Sequence, residues 1–156
     1  MEITLRKSIE ADLEVFFLNQ ADEEANQMAA FTSLDPQDKE AYLTKWTKHL
    51  KDDRIHMQTI LVDSKVIGTV TKFVMDGKAE ITYAISKEHW GKGLTTQAVI
   101  NFLTIETTRP IYGHTAFDNI GSQRVLEKAG FKRIGEDKGF AKARGKVIHE
   151  FIYCLD

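Results

Sequence analysis

Cysteine occurs once in the 156 residues, at Cys154, so the chain can build no internal disulfide framework. That scarcity suits a reducing compartment, which points to the cytoplasm. Cys154 stands near the end of an alternating apolar run and reads as a small core residue rather than a nucleophile. Proline occurs twice, at Pro36 and Pro110, both between periodic segments. With no repeat and no low-complexity linker, residues 1–156 read as a single domain. No apolar run approaches the about 20 residues needed to cross a bilayer. The start, Met1-Glu-Ile-Thr-Leu-Arg6, lacks the basic opening and apolar stretch of a signal peptide. There is no basic excess either: 21 Lys and Arg face 23 Asp and Glu, which argues against nucleic acid as a partner. The five histidines show no H-x-x-x-H spacing, and C-x-x-C is absent, so no metal site is expected. No G-x-S-x-G elbow marks a serine hydrolase.

The apolar periodicity is well defined. Ile3 and Leu5 alternate with polar neighbours, as in a short first strand. Ser8 stands where it could cap a helix through Val15, Phe16 and Leu18, with Glu10 and Asp12 in the first turn. Met28 to Leu34 reads as a loop or a frayed helix. Asp35-Pro36 then reads as N-cap and first residue of a helix running to about Leu50. Residues 56–62, 66–75 and 79–86 alternate as three strands, joined by hairpin turns at Asp63-Ser64 and Asp76-Gly77. A helix follows from about Gly93 to Thr107, with Leu94, Ala98, Phe102 and Ile105 on one face. Ile111 to Phe117 reads as a strand, and Asn119 to Ala129 as a helix closed by Gly130. Phe131 to Gly135 and Lys146 to Leu155 complete the sheet. The order β-α-α-β-β-β-α-β-α-β-β predicts an α+β fold, one mixed, mostly antiparallel sheet flanked by helices.

The most informative local run is Trp90-Gly-Lys-Gly-Leu-Thr-Thr96, which joins a strand to a helix. The first N–H groups of a helix have no intrahelical partner and lie at the positive end of its dipole. A glycine-rich turn there can surround a pyrophosphate. Gly91 and Gly93 would allow close approach, Leu94, Thr95 and Thr96 would complete the ring of donors, and Lys92 would add charge at the rim. An ordinary strand-to-helix turn would use two glycines equally well. The spacing is neither that of a Walker loop nor that of a dinucleotide fingerprint. Asn119 and Ser122 share the first turn of a later helix, where Asn119 is a good N-cap.

The run resembles motif A of the GNAT acetyltransferase superfamily, written [Q/R]-x-x-G-x-[G/A]. Trp90 stands at the first marked place, Gly93 at the central glycine and Thr95 at the last, so two of the three places depart from the general pattern. Ala79-Glu-Ile-Thr-Tyr-Ala-Ile85 followed by Trp90-Gly-Lys-Gly93, then Asn119-x-x-Ser122 and Val125-Leu-Glu-Lys-Ala-Gly-Phe131, is similar to the branch containing the RimJ/RimL-like ribosomal-protein N-terminal acetyltransferases. The resemblance implies a twisted sheet that splays on either side of the coenzyme-binding helix. It implies acetyl-CoA as cosubstrate, with no metal, and an amine as acceptor. Residues 1–78 hold 10 basic against 14 acidic residues and residues 79–156 hold 11 against 9, a division that suits a cationic acceptor and a polyanionic coenzyme.

By the same resemblance, the main chain of Ala84, Ile85 and Ser86 would pair with the pantetheine arm. Trp90 to Thr96 would hold the pyrophosphate, Asn119 would contact pantetheine amides, and Ser122 would stabilise the departing thiolate. Arg124 and Lys128 could reach phosphates, although exposed helix charges are the ordinary reading. Many relatives carry a tyrosine acid four residues after the Ser122 place; here that residue is Leu126. Base candidates are Glu80 and Tyr83 on the strand before the turn and His114 on the strand after it, a histidine having a suitable pKa. Phe31, Trp46, Phe140 and Asp22-Glu23-Glu24 are expected to shape the acceptor pocket. The reading that follows is an N-acetyltransferase acting on a protein N-terminus or a small amine by direct attack in a ternary complex. The alternative is a non-catalytic acyl-CoA sensor on the same fold. Neither nucleic acid nor membrane is expected as a partner, and a homodimer is left open.

Overall fold

A computed structural model describes residues 2–32 and 35–156. Ser33 and Leu34, the end of the expected loop, lie outside the described residues. The strands are β1 (Ile3–Lys7), β2 (His56–Val62), β3 (Lys65–Met75), β4 (Lys78–Ile85), β5 (Ile111–Ala116), β6 (Lys132–Ala141) and β7 (Lys146–Leu155). The helices are α1 (Leu13–Ala21), α2 (Glu23–Ala29), α3 (Lys39–Leu50), α4 (Leu94–Ile105) and α5 (Ile120–Lys128). The strands form one sheet in the order β1-β2-β3-β4-β5-β7-β6. Every neighbouring pair is antiparallel except β4 and β5, which are parallel. The mixed, mostly antiparallel sheet agrees with the sequence pattern.

Both expected hairpin turns are present. Asp63 and Ser64 have φ of 49° and 66°, and Asp76 and Gly77 have 52° and 75°. Two-residue loops with positive φ at both places match the twist of the strands they join. On one face, Ile81 and Ile85 of β4 pack with Leu94, Ala98, Val99 and Phe102 of α4 and with Val125 and Leu126 of α5. On the other, Leu13, Phe16 and Phe17 of α1 pack with Tyr42 of α3 and Met57 of β2. A small third cluster, Ala30, Ala116, Ala141 and Ile148, lies beside Phe31.

Four expectations are corrected. Ser8 does not cap α1; its hydroxyl is buried in a 2.8 Å bond with Thr59 Oγ1, and a short 3-10 turn (Glu10–Asp12) precedes the helix. Asp12 organises this corner instead, because its buried carboxylate accepts from Arg6 (2.7 and 2.8 Å), from Thr59 (2.7 Å) and from the Ile9 N–H (3.0 Å). The next helix starts after Asp38, which caps the Ala41 N–H at 3.0 Å, while Asp35 bonds the Gln37 N–H within a preceding turn. Ile105 is exposed in the last turn of α4 rather than on its buried face. The strand expected over Phe131 to Gly135 is longer: β6 continues to Ala141.

The helix α2 has no buried residue. Polar contacts hold it down. Lys87 pairs with Glu24 at 2.6 Å, Asn119 Nδ2 donates to the Met28 carbonyl at 3.2 Å, and Arg144 Nε donates to the Gln27 carbonyl at 2.7 Å. Just past the helix, the Ala143 N–H donates to the Ala30 carbonyl at 3.2 Å.

Candidate active site

The parallel pairing of β4 with β5 covers only Ala79 with Ile111 and Glu80 with Tyr112. Beyond it β4 stays paired with β3 through Ile85, and β5 stays paired with β7 through Ala116. The two strands therefore diverge. In an antiparallel ladder a residue turns both main-chain groups toward its partner strand or both away. The Ser86 N–H is taken by the Ile67 carbonyl at 2.8 Å, so Ser86 and, two residues back, Ala84 turn toward β3. Tyr83 and Ile85 turn toward the gap. The Ile85 carbonyl accepts from the indole N–H of Trp90 at 3.0 Å, which ties the glycine turn to the end of β4.

That turn has the geometry its composition suggests. Gly91 and Gly93 both have φ of 75°, and a Cβ on either would meet nothing within 4 Å, so backbone conformation rather than crowding selects glycine. Gly93 is the N-cap of α4 in the left-handed region, and no side chain caps the helix. The first intrahelical bond is Gln97 N–H to the Gly93 carbonyl at 3.2 Å. Leu94, Thr95 and Thr96 thus present their N–H groups outward, at the positive end of a 12-residue helix. Ser86 Oγ and His89 Nδ1, at 2.7 Å, brace the short turn before it.

Across the gap, Asn119 caps α5 by accepting the Ser122 N–H at 3.1 Å, while its amide nitrogen reaches Met28 of α2. The Ser122 hydroxyl lies 2.7 Å from the Tyr83 hydroxyl, which is also 3.3 Å from the Ser122 carbonyl. Burial pushes the Tyr83 phenol above its ordinary range, outweighing the opposing hydrogen bond with Ser122, so it remains a neutral donor. Arg124 and Lys128 are exposed on α5.

The opposite face of the gap holds a different group. Successive strand residues alternate sides: Gly113 faces Leu126 of α5, and His114 faces away. Its Nε2 is 2.7 Å from Glu80 Oε1, and its Nδ1 is 3.2 Å from Glu150 Oε1. Glu150, followed by Glu80, lifts the imidazole to a pKa of about 10. His114 is therefore an imidazolium at neutral pH, between one buried carboxylate and one partly exposed. Sequence reading named His114 and Glu80 but missed Glu150, whose only signal was its place on a strand whose neighbour was unknown.

The expected acceptor-side residues divide. Phe31 packs beside Ala116 and Ile148, and Glu24 pairs with Lys87 of the turn. Trp46 instead joins the α1–α3 cluster, with its ring 5.8 Å from Tyr42, and Phe140 is exposed. A concavity of about 550 Å³ runs along α3 from Asp38 to His49 and shares no residue with the gap. Among the described residues no group of three or more His, Cys, Asp or Glu side chains could hold a metal. No helix among them is long and apolar enough to cross a membrane.

Known proteins share the fold. The chain is 34% identical over 114 residues to the probable N-acetyltransferase YjcK of Bacillus subtilis (strain 168), a match covering 66% of this chain and 62% of that one. It spans 55–62% of the length of the curated relatives it matches. The fold is similar to that of spermidine N-acetyltransferase from Vibrio cholerae in complex with CoA and spermine (TM-score 0.84, 20% identity, 98% of this chain and 94% of that one). It is also similar to that of RimL, a ribosomal L7/L12 α-N-protein acetyltransferase in complex with coenzyme A (TM-score 0.80, 17% identity, 98% and 93%). Residues 2–132 match the profile of the acetyltransferase (GNAT) domain, and the chain belongs to that family.

Proposed function

We propose that the protein is an N-acetyltransferase that binds acetyl-CoA in the β4–β5 gap and acetylates a primary amine by direct attack in a ternary complex. The observation that carries this reading is the coincidence of two features. One is a gap toward which the main chain of Tyr83 and the Ile85 N–H turn, the Ile85 carbonyl being taken by Trp90; the other is a helix start with no side-chain cap, behind Gly91 and Gly93. Both fit an extended, anionic thioester: strand-edge groups suit amides, and free helix N–H groups suit a pyrophosphate. Acetyl-CoA supplies the activated acetyl group.

The chain's residues divide the remaining work. Leu94, Thr95 and Thr96 N–H groups, with Gly91, Gly93 and Lys92, hold phosphates, and Trp90 fixes the turn. The main-chain contacts expected of Ala84 to Ser86 fall to Tyr83 and Ile85, because Ser86 is engaged by β3. Asn119 shapes the start of α5. Tyr83, oriented by Ser122, donates the proton to the leaving sulfur, the task a tyrosine at Leu126 performs in many relatives. On the other face Glu80 and Glu150, joined through His114, place negative charge where a cationic amine would approach. His114 is already protonated and serves as the link between them rather than as the base. The single half-buried thiol fits a cytoplasmic protein.

Acetyl-CoA offered with a panel of protein N-terminal peptides and small amines is expected to release free thiol. Coenzyme binding without turnover on any amine would leave the sensor reading. Gly93→Val is expected to abolish coenzyme binding measured by calorimetry, because a β-branched residue is strained at φ of 75°. Retained binding would sink the assignment of the phosphate turn.

A further inference from the structure

The sheet ends on β6, which is paired on one side only and is exposed along most of its length. A free edge offers unpaired N–H and C=O groups to another strand, and charge of one sign along it repels a second copy. β6 carries both signs in blocks, Lys132-Arg133 and then Glu136-Asp137, on either side of Ile134-Gly135.

In a regular strand residues 133 and 136 would point to opposite faces. Here the register with β7 shifts between Arg133 and Gly135, a bulge that changes the parity. Arg133 lies opposite Tyr153 and Glu136 opposite Phe151, both on the α5 side of the sheet. Lys132 lies opposite Cys154 and Asp137 opposite Glu150, both on the α2 side. The 3.4 Å contact between Arg133 and Glu136 agrees with their shared face. The Arg133 guanidinium lies 3.4 Å above the Phe151 ring, which holds it there.

We propose that β6 pairs antiparallel with β6 of a second copy of this chain, about a two-fold axis between Ile134 and Gly135. Arg133 of each copy then meets Glu136 of the other on one face, and Lys132 meets Asp137 on the other face. Opposite charges directly across an antiparallel pair are favourable, and the two-fold makes each contact twice. Exposed Ile134 falls opposite Gly135, where an added Cβ would meet nothing within 4 Å. Without the bulge the same register would set each charge on the face opposite its partner. The bulge, usually a guard against edge pairing, here makes the self-pairing consistent.

Native mass spectrometry and light scattering test it. The wild-type chain is expected to be a dimer. K132E/R133E, with four acidic residues around the two-fold, and E136K/D137K, with four basic ones, are each expected to be folded monomers by circular dichroism. An equimolar mixture of the two is expected to give a one-to-one heterodimer. Arg133→Gln, a milder change, is expected to weaken the wild-type dimer about tenfold through the two lost ion pairs. A monomeric wild type, or charge-reversed variants that dimerise as tightly as wild type, overturns the proposal. So does a mixture that stays monomeric.

Discussion

Tyr83 and Ser122 are 39 positions apart in sequence and 2.7 Å apart in space, and their pairing answers a question the sequence raises. Relatives' tyrosine is replaced by Leu126, which left the source of the proton open between Ser122, another tyrosine and water. Under the proposed function Tyr83, a buried phenol 2.7 Å from the Ser122 hydroxyl, supplies it. Tyr83→Phe is expected to lower kcat by about a hundredfold or more while leaving the coenzyme dissociation constant near wild type. Single-turnover kinetics beside binding calorimetry separates the two; an unchanged kcat would remove Tyr83 from proton transfer. His114 illustrates what residue types alone do not reveal. Its ordinary pKa suggested a base, but two carboxylates from β4 and β7 keep it charged. Glu150 lies 36 positions away, so neither the contact nor the charge state could be read from the sequence.

At the scale of elements, Leu126 is fully buried on α5, and a Cβ at Gly113 would meet its methyl groups at 3.0 Å. The close approach of β5 to α5 depends on this pair. Leu126→Tyr therefore should not restore the relatives' acid. It is expected to overpack the contact and cost about 1–3 kcal/mol in a denaturant titration, with no gain in kcat; a variant as stable as wild type would contradict that packing. Elements with a strong local signal were legible: the hairpin turns, the glycine turn before α4, and Gly130 closing α5 at φ of 98°. The helix α2 was not. None of its residues is fully buried, so it leaves no apolar stripe to read. The start of α3 was misplaced because Asp35-Pro36 and Asp38 both satisfy cap chemistry, and only packing chooses between them.

At the scale of the whole molecule, strand order and the short β4–β5 pairing are non-local, and neither has a local signature. The resemblance supplied the splay; the residues themselves did not. The His114 cluster also links the site to global stability. Its folded pKa of about 10 lies above the ordinary 6.5, so its contribution is complete below pH 6.5 and is lost as pH rises toward 10. Urea titrations of wild type and His114→Gln are therefore expected to show a stability difference that shrinks across that range. A difference independent of pH would show that His114 is not held charged.

The anchoring of α2 has a consequence for how such a protein can change over generations. Arg144, Asn119 and the Ala143 N–H grip the carbonyls of Gln27, Met28 and Ala30, groups that every amino acid supplies. Substitutions at its exposed places, Glu23, Gln27 and Ala29, leave those main-chain grips in place, and no residue of the helix is fully buried. Under the proposed function, the segment beside Glu80 and Glu150 can thus drift in sequence while the residues proposed to hold the coenzyme stay fixed. A lineage could try new acceptors at small cost to folding.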